Sequence, residues 1–156
     1  MPAYETELSR SYGKVVGAGV ARSIIAIPAI VAFSTDMLDN ANDDVGLFSV
    51  PKGFVVTGIT ASATDMDTGS AALVIDIGDA AVEDRLLAAS IIGQAGTLST
   101  ALAPAGHLYK YTTQTQIRAY VKTAAATAAA GTLKVVLEGF IDEGFDTTPL
   151  VATTPA

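Results

Sequence analysis

Short segments in which apolar and polar side chains alternate dominate the chain between residues 45 and 142. The clearest of them is Gln116–Lys122. In a strand, Ile117, Ala119 and Val121 would point to one face, and Arg118, Tyr120 and Lys122 would point to the other. A period of two is typical of a β-strand with one buried face, and no long segment shows the 3.6-residue period of an amphipathic helix. This pattern restricts the chain to an architecture built from strands.

A second alternating segment, Thr132–Asp142, follows across the Ala-rich connection Thr123–Gly131. Its predicted inward positions are Leu133, Val135, Leu137 and Ile141, and its predicted outward positions are Lys134, Glu138 and Asp142. Alanine favours helix, but nine residues are too few for an independent helix, so the connection is predicted to be a loop with at most one helical turn. The two strands are therefore predicted to pair as a hairpin.

A second hairpin is predicted nearer the N-terminus, from Phe54–Ala63 and Ala71–Gly78. The first of these segments is rich in β-branched residues, and the second places Leu73, Ile75 and Ile77 on one face. The segment between them, Thr64–Ser70 (TDMDTGS), consists mainly of turn-forming residues.

Shorter candidate strands bring the predicted total to seven or eight. They are Val45–Val50, Arg85–Ile92 and Leu108–Tyr111. Asp79 is placed to cap a short helix that would extend to Leu87. Many short strands separated by turns predict an all-β fold, namely an antiparallel β-sandwich of the jelly-roll kind.

The two ends differ in composition from the middle, which suggests three parts. We expect an N-terminal arm at residues 1–33, a β-sandwich core at 34–145 and an extended C-terminal tail at 146–156. The apolar run Ile24–Phe33 is interpreted as a buried strand within the arm, because ten residues are too few to span a bilayer. An export signal is disfavoured, since Glu5 and Glu7 precede the run. Such ends are typical either of arms that embrace neighbouring molecules or of plain termini.

The composition argues against several classes of function. The net charge is −7 with only nine Lys and Arg residues, so the chain is a poor ligand for nucleic-acid phosphates. There is no Cys, which leaves no thiolate metal site and no cysteine nucleophile. No glycine-rich phosphate-binding motif and no nucleophile elbow is present. We predict no enzymatic activity, no cofactor and no contact with a membrane.

Individual candidate residues give little support for a chemical site. His107 is the single histidine, and a surface or packing role is favoured over a catalytic one. Asp65, Asp67 and Asp76 partly match the spacing of a calcium loop, but the turn glycine and the last ligand do not fit. A solvated aspartate turn is therefore favoured, and a structural Ca²⁺ at these residues stays open. No catalytic, cofactor or metal residue is predicted.

Four segments taken together resemble a known class of virion proteins. They are Ile59–Gly69 (ITASATDMDTG), Ala72–Asp79 (ALVIDIGD), Ile92–Gly96 (IGQAG) and Thr123–Leu137 (TAAATAAAGTLKVVL). Their order resembles that of small structural proteins of tailed bacteriophages, including proteins that decorate or cement the capsid shell. The resemblance covers roughly residues 45–142 and rests on turn and strand features.

The resemblance implies a non-enzymatic β-sandwich, often a homotrimer, on the outer surface of a phage capsid. The expected partners are the major capsid protein or other virion proteins, which the chain would hold together across neighbouring subunits. Two alternatives remain: a protein associated with the phage tail or fibre, and a carbohydrate-binding β-sandwich. The second would need an exposed aromatic platform, for which Tyr109, Tyr111 and Tyr120 are the nearest group.

Overall fold

The computed structural model describes residues 24–142, and this part of the chain contains eight strands in two antiparallel sheets. The strands are β1 (Ile25–Phe33), β2 (Asp44–Val50), β3 (Phe54–Ala63), β4 (Val74–Gly78), β5 (Leu87–Ser90), β6 (Leu98–Ser99), β7 (Thr115–Thr123) and β8 (Gly131–Ile141). Two short 3-10 turns occur at Thr35–Met37 and Pro104–Gly106. Within these residues, no helix has the length and apolar character needed to cross a membrane. The first part of the predicted arm, residues 1–23, and the predicted tail, 146–156, lie outside the described residues.

The order of the strands identifies the fold as a jelly roll. The first sheet runs β1-β8-β3-β6 and the second runs β2-β7-β4-β5. The antiparallel pairs β1 with β8, β2 with β7, β3 with β6 and β4 with β5 are all present. This is the arrangement of a long eight-stranded hairpin rolled into two sheets, as in jelly rolls. The predicted all-β antiparallel sandwich is confirmed.

Both predicted hairpins are wrong. β3 lies in the first sheet and β4 in the second, while β7 lies in the second sheet and β8 in the first. The segments Thr64–Ser70 and Thr123–Gly131 therefore cross from one sheet to the other. Alternation of side chains determines which face of a strand is buried, but it does not determine the strand's partner.

The core fills the space between the two sheets. The predicted inward residues of β4, β7 and β8 are buried there: Leu73 (just before β4), Ile75, Ile77, Ile117, Ala119, Val121, Leu133, Val135 and Leu137. Ile141 was predicted to be inward but is 47% exposed, because it pairs with Phe54 at the very end of β8, where the sandwich ends. The core contains few aromatic side chains, of which Phe33 and Phe54 are the largest that are fully buried.

The apolar run before residue 34 belongs to the sandwich rather than to an arm outside it. Ile25–Phe33 is β1, which pairs along its length with β8 as the edge strand of the first sheet. A buried strand was predicted, but the burial of β1 alternates, so it is a half-buried strand. Pro28 is tolerated because an edge strand can leave a backbone donor unused. Within the described residues, β1 is the first strand of the sandwich.

Two local predictions in the second half of the chain also differ from the structure. Leu108–Tyr111 is not a strand, although its backbone runs beside β3, with the Tyr111 amide donating to the Phe54 carbonyl at 2.9 Å. The two-residue strand β6 was not predicted, because so short a segment carries no periodicity. No helix follows Asp79; its carboxylate instead caps a turn by accepting from the amides of Ala81 and Val82.

Candidate interaction surfaces

His107 and the three aspartates considered for calcium do not form a common site. His107 is exposed and follows the 3-10 turn at Pro104–Gly106. Asp76 lies on β4, where it accepts a hydrogen bond from the Ala89 amide at 2.6 Å. Across residues 24–142, no group of three or more histidine or acidic side chains has an arrangement suited to a metal ion.

Asp67 joins two loops at one end of the sandwich. Its side chain is buried, with 2% exposure, and its Oδ2 atom accepts from the amides of Ala72 and Leu73 at 2.8 and 2.9 Å. Its Oδ1 atom accepts from the Thr127 amide at 2.9 Å. The two carboxylate oxygens are thus occupied by backbone donors from both crossing loops, which we call the Asp67 junction. The prediction of a solvated aspartate turn is therefore wrong for Asp67, whose carboxylate is buried because it serves as acceptor for backbone amides of the two loops.

The charge state of Asp67 follows from the same contacts. Burial by itself would raise the pKa of this carboxyl, but the amides of Ala72, Thr127 and Leu73 stabilise the carboxylate more strongly. The pKa of Asp67 is therefore held well below its usual range. The junction carries a negative charge whenever the protein is near neutral pH.

A second polar cluster surrounds Asp79. The Arg85 Nε atom donates to Asp79 Oδ2 at 2.5 Å, and the Arg85 guanidinium lies 3.8 Å from the centre of the Tyr109 ring. Tyr109 and Tyr111 contact each other edge to face, with ring centres 4.9 Å apart. This cluster borders a shallow cavity of about 270 Å³.

The tyrosines are packed and do not form an exposed sugar-binding platform. Tyr111 is 2% exposed and Tyr120 is 7% exposed. Tyr109, which is half-buried, has the Arg85 guanidinium stacked over its ring. Burial raises the pKa of the Tyr111 hydroxyl, and the nearby Asp79 carboxylate raises it further. Because the aromatic surface is used internally, the geometry does not favour the carbohydrate-binding alternative.

Replacing Asp79 with asparagine is expected to lower the free energy of unfolding by about 2 kcal/mol, because Arg85 then loses its charged partner in a mostly buried position. Burial raises the pKa of Asp79, but the Arg85 hydrogen bond and two backbone amides lower it by more. Urea unfolding followed by circular dichroism measures the change. Glu83→Gln, which removes an exposed ion pair with Lys122, is the matched control and is expected to change the stability little. Equal effects for both variants would contradict the conclusion that the buried pair of Asp79 and Arg85 stabilises the fold more than the exposed pair does.

The outer faces of the two sheets differ in chemical character. Across the first sheet, one outward row contains Ile30, Lys134, Ser62 and Leu98 in adjacent strands. Ile30 is 72% exposed and Leu98 is 63% exposed. The outer face of the second sheet instead carries two ion pairs, Arg118 with Asp44 and Lys122 with Glu83. Within the described residues, the exposed large apolar side chains of the strands thus lie on the first sheet.

An open groove lies at the edge of the sandwich where β5 and β6 end the two sheets. Its volume is about 390 Å³, and none of its ten lining residues is charged. Ile91 and Leu98 border it with 58% and 63% exposure, and Ala88 and Ala89 are also exposed. This surface is apolar and is formed largely by small side chains.

Both ends of the described chain lie at one end of the sandwich. Ile25, at the start of β1, pairs with Gly139 near the end of β8. Ile141, at the end of β8, pairs with Phe54 at the start of β3. The preceding and following segments therefore leave the sandwich on the same side.

Comparison with known proteins finds chains of similar fold in phage capsids. No protein-family model and no curated protein sequence matches the chain. Among solved structures, it is similar to a chain in the capsid asymmetric unit of cyanophage Pam1, with 30% identity and a TM-score of 0.69. That match covers 81% of this chain and 90% of the other. The chain also shares its fold with a chain in the capsid of Ralstonia phage GP4, with 24% identity, a TM-score of 0.63 and coverage of 78% and 86%.

Proposed function

We propose that this chain, which belongs to the family of phage virion structural proteins represented in the cyanophage Pam1 capsid, decorates the outside of a phage capsid and stabilises it. In this role the chain binds across neighbouring capsid subunits and holds them together. The observation that carries the proposal is the 30% identity over 90% of the Pam1 capsid chain. The resemblance of the turn and strand segments to decoration proteins supports the finer assignment.

The direction in which the chain leaves the sandwich supports binding across subunits. Residues 1–23 precede β1 and residues 143–156 follow β8, and both segments start from the same end of the sandwich. A domain with two chain segments extending from one side can contact more than one neighbouring molecule at once. Any protein that binds only the assembled shell shifts the equilibrium away from dissociated subunits, which stabilises the shell.

The charge of the chain supports an exterior position. With a net charge of −7, the protein does not compete for the phosphates of a packaged genome. The ion-paired outer face of the second sheet is suited to solvent. A homotrimer placed near a symmetry axis would present three such bodies to the shell. In this function the chain needs no catalytic residue and no cofactor.

The proposal is tested by adding the purified protein to capsids from a phage that lacks its gene. We expect the protein to bind to the capsids and to raise the temperature at which they release their DNA, measured with a DNA-binding dye. The DNA-release temperature of capsids without added protein is the reference. Absence of binding, or binding with an unchanged release temperature, would overturn the proposal.

The position of the protein in the virion is tested separately. Gold-labelled antibodies against the purified chain are expected to mark the heads of intact wild-type virions in electron micrographs. Virions that lack the gene are the control for non-specific labelling. Labels confined to tails or fibres would instead support the tail-associated alternative.

A further inference from the structure

We propose that Pro28 prevents the outer edge of β1 from pairing with the same edge of a second copy of this chain. The outer edge is the side of β1 that faces away from β8, and within residues 24–142 no strand pairs with it. Strand edges with unpaired backbone groups are the places where β-sheet proteins associate edge to edge. The inference does not require capsid binding, so it and the proposed function can fail separately.

The hydrogen bonds of β8 determine which backbone groups of β1 point outward. The Thr132 amide donates to Thr64 Oγ1 at 2.9 Å, and the Thr132 carbonyl accepts from the Thr64 amide at 3.0 Å, so both groups of Thr132 face the β3 side. Successive residues of a strand direct these groups to opposite sides, so Val136 also faces β3. Its partner Pro28 therefore directs its backbone nitrogen away from β8. The outward-pointing residues of β1 are every second one, namely Ala26, Pro28, Ile30 and Ala32.

The other three edge strands of the described sandwich each carry a different feature that disfavours pairing. β2 has the charged Asp44 and an irregular register between Gly46 and Phe48. β5 has four residues and an irregular register with β4, and its Ala89 has a positive φ, while β6 has only two residues. By contrast, β1 has nine residues, an unbroken register with β8 and no charged side chain. Its length and composition would therefore favour pairing with another strand.

Pro28 interrupts the middle of this outer edge. In an antiparallel pair of two β1 strands that overlap along their length, Pro28 of each copy would lie opposite Ile30 of the other copy. Proline has no amide to donate, so each of these two central residue pairs loses one hydrogen bond, and the proline ring faces the neighbouring strand. A shifted pairing that avoids Pro28 leaves at most Ile30 and Ala32 as outward donors of β1. So short an edge is itself protected against pairing.

The test replaces Pro28 with valine in the full-length chain, which restores the backbone amide and favours the strand. Because the nitrogen of Pro28 points away from β8, no hydrogen bond within the sheet is lost, and the far-ultraviolet circular dichroism spectrum is expected to stay unchanged. The matched control is Ala26→Val, which adds a valine to the same exposed row of β1 and keeps Pro28. Sedimentation velocity over a range of protein concentrations measures assembly, and thioflavin T fluorescence detects strand-paired aggregates.

We expect Pro28→Val to associate beyond the wild-type assembly at a concentration at least about tenfold lower than Ala26→Val, because each symmetric pair of strands regains two hydrogen bonds. Adding Ile30→Lys to Pro28→Val is expected to reverse the association, because pairing would bring two like charges close together. Equal association of Pro28→Val and Ala26→Val, or association that Ile30→Lys does not reduce, would overturn the proposal. If Pro28→Val does not fold, Pro28→Ala restores the amide without a branched side chain, and assembly identical to that of the wild type would then overturn it.

Discussion

Replacing Asp67 with asparagine is expected to lower the free energy of unfolding by about 3 kcal/mol, because buried backbone donors lose a charged acceptor. In the native protein the Asp67 carboxylate accepts from the amides of Ala72, Leu73 and Thr127. An asparagine side chain keeps one oxygen and directs an NH₂ group toward donors that need an acceptor. Urea unfolding at pH 7, followed by far-ultraviolet circular dichroism, measures the difference.

The control for this substitution is Asp65→Asn in the same turn. Asp65 is exposed and accepts a single, longer bond from the Asp67 amide at 3.2 Å. Its replacement is expected to change the stability by less than about 1 kcal/mol. If Asp67→Asn were as mild as Asp65→Asn, the Asp67 junction would not be the main connection between the two loops.

The effect of Asp67→Asn is also expected to depend on pH. Because folding lowers the pKa of Asp67, its stabilising contribution is complete above the unfolded pKa of about 3.9 and is lost as the pH falls below it. Burial raises the pKa of Asp76, so this residue has the opposite effect on the pH dependence of stability. Its contribution is the same in wild type and in Asp67→Asn and cancels in their difference. The difference in unfolding free energy between wild type and Asp67→Asn should therefore be largest near pH 7 and shrink below pH 4. A difference that stays constant down to pH 2.5 would contradict the conclusion that folding lowers the pKa of Asp67.

At the Asp67 junction, the loop after β3 was predictable from the sequence, but its contact with the second loop was not. The segment Thr64–Ser70 was correctly predicted to connect two strands, because its residue types favour turns, but it crosses between the sheets instead of closing a hairpin. What the sequence does not show is that the loop 123–131 lies beside this turn, with the Thr68 amide donating to the Thr127 carbonyl at 3.0 Å. These partners are about 60 residues apart, and no local pattern links them.

The same reasoning explains why the sandwich was predictable while its strand pairing was not. Alternation in β7 and β8 identified their buried faces correctly, since burial is imposed on each strand separately. Pairing between consecutive strands is common, which led to the two hairpin predictions. In this jelly roll every connection except that from β4 to β5 crosses to the other sheet, so most neighbours along the chain are not partners. The groove at β5 and β6 was missed because β6 has only two residues.

Replacing Gly139 with alanine is expected to destabilise the protein by about 3 kcal/mol or more, because the added methyl group meets rigid atoms in a closely packed site. Gly139 is buried in β8 between β1 and β3. A Cβ atom there would overlap the Val55 carbonyl oxygen and lie 2.6 Å from Cζ of the Phe54 ring. Neither can move freely, since Phe54 is fully buried and Val55 is part of the β3 backbone.

The matched control is Gly58→Ala on the neighbouring strand β3. A Cβ atom at this position would lie 3.2 Å from Oε2 of Glu138, the end of a flexible and exposed side chain that can rotate away. Alanine also reduces the conformational freedom of the unfolded chain, so the net change is expected to stay within about 1 kcal/mol. Thermal unfolding of both variants separates the two cases, and the fraction of each that is recovered in soluble form provides a readout if Gly139→Ala does not fold. Similar stability for the two variants would contradict this prediction. It would show that Phe54 and the β3 backbone can move to make room for the methyl group, and that this end of the sandwich is packed more loosely than the structure indicates.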